Sequence, residues 1–186
     1  KDGRACGVET TSGTIEADKV VVAGGMWSRE LGKSVGVSIP LHACEHFYIV
    51  SEPIAELPRN MPVVRVPDES TYYKEDAGKL MVGAFEPKSK PWPAKGGPGI
   101  DEEHAFVTLP EDMDHFEPIL ADAINRVPLL EKAGIQLFFN GPESFTPDVR
   151  YYLGEAPELR DLYVATGFNS IGIQSSGGAG LVLSQW

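Results

Sequence analysis

The stretch "DLYVATGFNSIGIQSSGGAG", residues 161–180, decides how this sequence is interpreted. It begins with a short apolar run typical of a buried strand and continues through glycine and small polar residues into a predicted helix. No residue from Leu162 to Trp186 is charged, although 23% of the chain is. A glycine-rich turn lets backbone approach a ligand, and a helix N-terminus presents unpaired N–H groups with partial positive charge. The stretch predicts either a neutral cradle for an electron-rich group or a tight strand–helix turn whose glycines serve packing.

The composition is that of an acidic globular protein. The formal net charge is −11, and this argues against a nucleic-acid or anionic-membrane partner, since both attract clustered Lys and Arg. The two cysteines, Cys6 and Cys44, are too few for a disulfide framework. We therefore expect a reducing, cytoplasm-like compartment, or the mitochondrial matrix in a eukaryote. The uncharged C-terminal segment has too many Gly, Ser, Asn and Gln residues for a membrane span.

The order of the predicted elements indicates a mixed fold, with features of the α/β and α+β classes. Strand-to-helix units are predicted at both ends of the chain, and paired strands in the middle, for example about the turn Asp76-Ala77-Gly78. Residues 111–131 carry apolar side chains at helical spacing, and Pro128 is expected to end or kink that helix. We expect both ends to contribute to one α/β layer, with a mainly antiparallel sheet domain inserted between them. The chain starts inside a strand pattern and stops inside a helix, so we expect a piece of a longer protein.

Several other side chains could carry chemistry, and for each a structural role is also open. His46 on a predicted strand is a general base, a hydrogen-bond donor to a substrate carboxylate or a core residue. His42 suggests a metal pair with His46, but no ligand at matching spacing supports it, and we expect no metal. Tyr72 and Tyr73 are adjacent strand residues that face opposite sides, so at most one points into a shared pocket. Cys44 is expected to be a small buried side chain rather than a nucleophile.

Four segments, in this order, resemble the FAD-dependent amine oxidoreductases of the D-amino-acid oxidase superfamily, and in particular the sarcosine and dimethylglycine dehydrogenase branch. They are "IEADKVVVAGGMWSRELGKSVGVSIPL" (15–41), "EHFYIVSEP" (45–53), "YYKEDAGKLMVGAFEPKSKPW" (72–92) and "FNGPESFTPDVRYYLGEAPELRDLYVATGFNSIGIQSSGGAG" (139–180). The last is the most specific, because "GPESFTPD", "LGEAPE" and "ATGFNSIGIQ" follow one another as a long ordered string. The resemblance extends over nearly the whole chain.

The resemblance implies an antiparallel-sheet substrate domain and the C-terminal part of a Rossmann-like FAD-binding domain. Residues 1–41 would close the FAD-binding domain, residues 42–144 would form the substrate domain, and residues 145–186 would return to the FAD-binding domain. The resemblance also implies that His46 is the active-site histidine and that Tyr72 is the substrate-facing tyrosine. The residues that it assigns to the cofactor are Gly24, Trp27, Gly167, Asn169, Ser170, Ile171, Gly172 and Ile173.

The reaction implied is oxidation of a secondary or tertiary N-methyl amine, such as sarcosine or dimethylglycine, to an iminium with reduction of FAD. The expected partners are the small-molecule amine, a missing N-terminal FAD-binding segment of the same protein and, for a dehydrogenase rather than an oxidase, an electron-transfer partner. The chain lacks the glycine fingerprint of the N-terminal Rossmann strand, and also the folate-binding domain that relatives often carry. The alternative is an isolated non-catalytic fragment or interaction module that binds no FAD by itself.

Overall fold

The computed structural model describes residues 2–93, 100 and 102–186. Within these residues the strands are β1 (Gly7–Thr10), β2 (Gly13–Glu16), β3 (Val20–Val22), β4 (His42–Ser51), β5 (Val64–Val66), β6 (Thr71–Asp76), β7 (Lys79–Ala84), β8 (Ile135–Phe145), β9 (Tyr152–Glu155) and β10 (Leu162–Thr166). The α-helices are α1 (Ser28–Ser34), α2 (Met113–Arg126) and α3 (Gly172–Leu183). No helix among the described residues is both long and apolar enough to cross a membrane.

The chain divides into two compact units. Unit 1 comprises Lys1–Cys44, Pro91–Ala105 and Glu143–Trp186, and unit 2 comprises Glu45–Lys90 and Phe106–Pro142. The mixed class with antiparallel sheets that the sequence predicted is confirmed. The assignment of chain segments to a flavin domain and a substrate domain stays a prediction.

Unit 1 is built around a three-stranded sheet of order β3-β10-β9, beside the antiparallel hairpin β1–β2. β10 pairs in parallel with β3 and antiparallel with β9. The buried core side chains of this unit are Val22, Val37, Ile39, Leu41, Ala156, Leu162 and Val164. Because β3 and β10 run parallel, their carboxyl ends, and the turns that follow them, lie at the same edge of the sheet. This edge is where parallel sheets commonly bind ligands.

Unit 2 contains most of a five-stranded sheet of order β5-β6-β7-β4-β8, in which the pairs β5–β6, β6–β7 and β7–β4 are antiparallel. Successive residues of a strand face opposite sides of a sheet. One face carries the core of this unit, to which the sheet and α2 contribute Phe47, Ile49, Tyr73, Leu80, Val82, Ala84, Phe116, Ile119, Ala123 and Phe138. The alternate residues of β4, β6 and β7 are therefore left on the second face.

The helix predicted over residues 111–131 is confirmed as α2 (Met113–Arg126). Its N-cap is Asp112, whose carboxylate accepts a hydrogen bond from the backbone N–H of His115 at 3.1 Å. The helix ends two residues before Pro128, as expected from the restriction that proline places on the residue before it.

Candidate functional site

Two glycine-containing turns meet at the carboxyl ends of β3 and β10 in unit 1. The first turn, Gly24-Gly25, follows β3, and the second, residues 167–171, follows β10. The Thr166 hydroxyl donates a hydrogen bond to the carbonyl oxygen of Gly25 at 3.2 Å. This bond joins the two turns, so the structure brings the segment of Gly24 and Trp27 to the segment that begins at Gly167.

The second turn is held in an unusual backbone conformation. Gly167 has φ +71°, and Asn169 and Ser170 have φ +49° and +66°. Left-handed φ values are uncommon outside glycine, although asparagine tolerates them best. The Asn169 side chain stabilises the turn, because its Oδ1 accepts from the Thr146 N–H at 2.9 Å and its Nδ2 donates to the Gly167 carbonyl at 2.6 Å.

The helix α3 presents an uncapped N-terminus directly after this turn. Its N-cap residue is Ile171, no side chain caps it, and its first turn contains no acidic residue. The first N–H groups of the helix, from Gly172 onward, have no partner within the helix and concentrate partial positive charge. Ile173 is 97% exposed, so it is not part of the core. This end of α3 is suited to an electron-rich oxygen of a ligand.

Two neighbours of the second turn could not be predicted from its own sequence. The Ser170 hydroxyl donates to a carboxylate oxygen of Glu143, which comes from the end of β8. The turn is uncharged in sequence, but a carboxylate therefore reaches it in space. The ring of Phe168 stacks on that of Tyr151, with centroids 5.0 Å apart and an interplanar angle of 16°.

The second face of the sheet in unit 2 carries a row of aromatic and basic side chains. Arg65 pairs with Tyr72 across β5 and β6, Tyr72 pairs with Gly83 across β6 and β7, and Gly83 pairs with Tyr48 of β4. His46 lies two residues before Tyr48 on the same strand, so it belongs to the same face. All of these residues lie opposite the core of unit 2.

Phe85 brings the two residues predicted to be catalytic together. Its ring centroid lies 5.2 Å from that of His46 and 5.7 Å from that of Tyr72. The guanidinium carbon of Arg65 lies 4.6 Å from the centre of the same ring, a cation–π geometry. Tyr73, by contrast, is 1% exposed and belongs to the core. Of the two adjacent tyrosines, Tyr72 is therefore the one beside His46.

Glu86 is a member of this cluster that the sequence did not indicate. Its Oε2 lies 4.0 Å from Nδ1 of His46, and the two side chains are only 5% and 12% exposed. Burial away from water raises the pKa of the Glu86 carboxyl from its ordinary 4.5 to about 7. A carboxyl whose pKa is strongly perturbed, beside a histidine, is a common feature of functional sites. The only signal in the sequence was its position next to Phe85 in "AFEP".

The remaining candidates are placed differently. His42 is exposed at the start of β4, and Cys44 is buried. Both belong to unit 1, whereas His46 belongs to unit 2. Across residues 2–93, 100 and 102–186, no three His, Cys, Asp or Glu side chains are grouped as a metal ion would require.

The comparison with protein families decides the affiliation of the chain. A family model described as "DAO: FAD dependent oxidoreductase" matches residues 1–186. The chain belongs to this family. The cofactor of the DAO family is FAD, and the resemblance predicted from the sequence is confirmed. The solved glycine oxidase of Geobacillus kaustophilus has a similar fold, with a TM-score of 0.72 and 28% sequence identity. The match covers 96% of this chain and 43% of the glycine oxidase chain.

Three curated DAO-family relatives are similar to nearly the whole chain. It is 42% identical to 4-methylaminobutanoate oxidase (formaldehyde-forming) of Paenarthrobacter nicotinovorans, over 97% of the chain and 21% of that protein. It is 41% identical to human mitochondrial sarcosine dehydrogenase, over 98% of the chain and 19% of that protein. It is 40% identical to the mitochondrial pyruvate dehydrogenase phosphatase regulatory subunit of Mus musculus, over 100% of the chain and 21% of that protein. The chain thus spans about a fifth of the length of these relatives.

Proposed function

We propose that this chain is part of a larger flavoprotein that oxidises an N-methyl amino acid, such as sarcosine, dimethylglycine or 4-methylaminobutanoate, to an iminium. The observation that carries the proposal is the cluster in unit 2, where His46 and Tyr72, from different strands, contact one aromatic ring. Identities of 42% and 41% to an oxidase and a dehydrogenase named for N-methyl amino acids support this substrate class.

Unit 1 is proposed to hold the flavin, and its residues fit such a group. The uncapped N-terminus of α3 and the adjoining turn offer backbone N–H groups to the electron-rich pyrimidine side of the ring. The residues that would contact the flavin are Gly24, Trp27, Gly167, Asn169, Ser170, Ile171, Gly172 and Ile173. FAD, when bound, supplies the redox chemistry by accepting a hydride equivalent from the C–H bond next to the amine nitrogen. The Glu143 carboxylate at Ser170 fixes the turn and adds negative charge beside it.

Unit 2 is proposed to bind and orient the amine. The imidazole of His46 and the phenol of Tyr72 offer two polar groups beside the ring of Phe85, and these would fix the amine and the carboxylate of the substrate. Aromatic faces also attract the cationic form of an N-methyl amine. A substrate held in one orientation reacts as in a unimolecular step, and this lowers the barrier.

The experiment is anaerobic mixing of the full-length, FAD-loaded protein with sarcosine, dimethylglycine and 4-methylaminobutanoate in turn. The proposal predicts loss of the oxidised flavin absorbance with at least one of them, together with formaldehyde after hydrolysis of the iminium. An oxidised spectrum that persists with all three would contradict it. Admission of air after reduction then separates an oxidase, which reoxidises quickly, from a dehydrogenase, which needs an electron-transfer partner.

The second candidate function is a regulatory, non-catalytic role. The observation that favours it is the 40% identity to a protein named as a phosphatase regulatory subunit. A protein of this kind would retain the fold without reducing its flavin, or without binding FAD. The same mixing experiment separates the two functions, since a regulatory protein shows no reduction by amine. The compartment belongs to the proposal too: the two mammalian relatives are named as mitochondrial, and a eukaryotic protein of this kind would occupy the matrix.

A further inference from the structure

One oxygen of the buried Glu86 carboxyl lacks the hydrogen-bond partner that such oxygens normally have. Its Oε1 is shielded from solvent and has no hydrogen-bond partner among the described residues. Glu45, a half-buried carboxylate of unit 2, shows the usual arrangement: it accepts a hydrogen bond from Asn140 at 2.7 Å and lies 3.4 Å from the ammonium of Lys90. An unsatisfied buried polar group is costly, and its presence calls for an explanation.

The group that faces the Glu86 carboxyl is the imidazole of His46. Oε2 lies 4.0 Å from Nδ1, and Nδ1 is itself shielded from solvent. Tyr72 from β6 and Arg65 from β5 contact the ring of Phe85, beside which His46 also lies. Glu86 therefore supplies a carboxyl group beside His46.

We propose that Glu86 is a positioning residue for His46, whose imidazole it orients and whose ring-nitrogen protonation it controls. An ionised carboxylate beside Nδ1 favours a proton on that nitrogen, and in the neutral imidazole this leaves Nε2 as the nitrogen that accepts a hydrogen bond from a substrate. The role rests on the proposed function, since it assigns His46 to the amine substrate. Glu86 itself touches neither substrate nor cofactor in this account.

The physical basis is the coupling of two titrating groups at one buried place. Because desolvation raises the pKa of Glu86 to about 7, its carboxyl changes charge in the same pH range as an ordinary imidazole. An ionised carboxylate within 4–6 Å favours the protonated imidazole, whereas a neutral carboxyl does not. Ionisation of Glu86 therefore changes the charge that the His46 imidazole faces at 4.0 Å.

The first test needs no catalytic activity. Thermal unfolding is measured for the full-length, FAD-loaded protein with His46→Gln, Glu86→Gln and both changes. We expect the Tm shift of the double variant to differ from the sum of the single shifts by about 2 °C or more, as for directly coupled residues. The control combines His46→Gln with Glu56→Gln, because Glu56 is an exposed carboxylate of the same unit. The Tm shifts of these two changes should be additive. Additive shifts for Glu86 with His46 would overturn the proposal.

The second test separates positioning from a merely structural role. In Glu86→Gln, the limb of the pH profile of kcat/KM that reports His46 should move to lower pH by about one unit, because the imidazolium has lost its acidic neighbour. Glu86→Asp, which keeps the acid, should leave that limb near its wild-type position and serves if the Gln variant folds poorly. An unmoved limb in an active Glu86→Gln enzyme would also overturn the proposal. If no N-methyl amine is oxidised, the proposed function fails, and the unfolding cycle alone decides the Glu86–His46 pairing.

Discussion

The ring of Tyr72 lies across the backbone of Gly83, its partner on the neighbouring strand. A Cβ added to Gly83 would lie 2.0 Å from Cζ and 2.1 Å from the hydroxyl oxygen of Tyr72. Such distances are far below van der Waals contact, so no side chain at position 83 is compatible with this position of the ring. The absence of a side chain at Gly83 therefore sets where the Tyr72 phenol lies relative to Phe85 and His46.

Gly83→Ala should displace the phenol and reduce substrate turnover. We expect kcat/KM with an N-methyl amine to fall by about 10²-fold, the order of loss produced by misplacing a positioning group by about 1 Å. Flavin absorbance per protein should be retained, because Gly83 belongs to unit 2. The control is Tyr72→Ala, in which the ring is already absent and Gly83→Ala should add little. Full activity in Gly83→Ala would disconnect Tyr72 from the reaction.

Gly167→Ala should disturb the turn after β10 and lower flavin content. Gly167 has φ +71°, and a Cβ there would lie 2.5 Å from Cγ2 of Thr146, so both the backbone and the packing oppose a side chain. The matched control is Gly177→Ala in α3, where a Cβ meets open space. That change should stabilise the helix by about 0.5–1 kcal/mol. Flavin-to-protein absorbance ratios after gel filtration measure the difference, and equal ratios in both variants would contradict the placement of the flavin.

Asn169→Ala should destabilise unit 1, because it removes the side-chain hydrogen bonds with Thr146 and Gly167 and leaves alanine at a φ of +49°. We expect a loss of about 1–3 kcal/mol in the free energy of unfolding. Asn169→Gly removes the same hydrogen bonds but suits the positive φ, and should lie between wild type and the alanine variant. Thermal unfolding checks this order, and the reverse order would show that the side chain does not stabilise the turn.

The buried carboxyl of Glu86 should make stability depend on pH in a predictable direction. The unfolded chain releases this proton near pH 4.5, whereas the folded protein keeps it until about pH 7, since desolvation raises the pKa. The stability contributed by the neutral acid is therefore complete below pH 4.5 and is lost as the pH rises through 7, by about 3 kcal/mol in all. Glu86→Gln cannot ionise, so its Tm relative to wild type should rise between pH 5 and pH 8. A difference in Tm that is independent of pH would contradict the burial of an ionisable carboxyl.

The elements that depend on local sequence could be predicted without coordinates. α2 ends before Pro128 because the residue before a proline is driven out of the helical region. The turn between β6 and β7 lies at Ala77 and Gly78, both with positive φ, where the sequence predicted a hairpin. The choice of Tyr72 over Tyr73 followed from a family pattern, and strand alternation puts the two rings on opposite faces.

The carboxylates beside these residues could not be predicted, because their environment comes from distant parts of the chain. Burial raises the pKa of Glu86, and the imidazole beside its carboxyl belongs to His46, forty residues earlier on β4. Glu143 reaches Ser170 only because β8 leads back into unit 1. Each appears in the sequence as an ordinary acidic residue. Only the pairing of strands shows which of the many carboxylates of this acidic chain lie near the candidate site.

The central claim is that His46 acts on an amine while unit 1 holds the flavin, and anaerobic single-turnover reduction tests it most directly. His46→Ala is compared with His42→Ala, an exposed histidine four residues earlier on the same strand. The account predicts that the rate of flavin reduction by the preferred N-methyl amine falls by about 10²-fold or more in His46→Ala, with flavin content retained, and is unchanged in His42→Ala. Equal reduction rates in the two variants would contradict it.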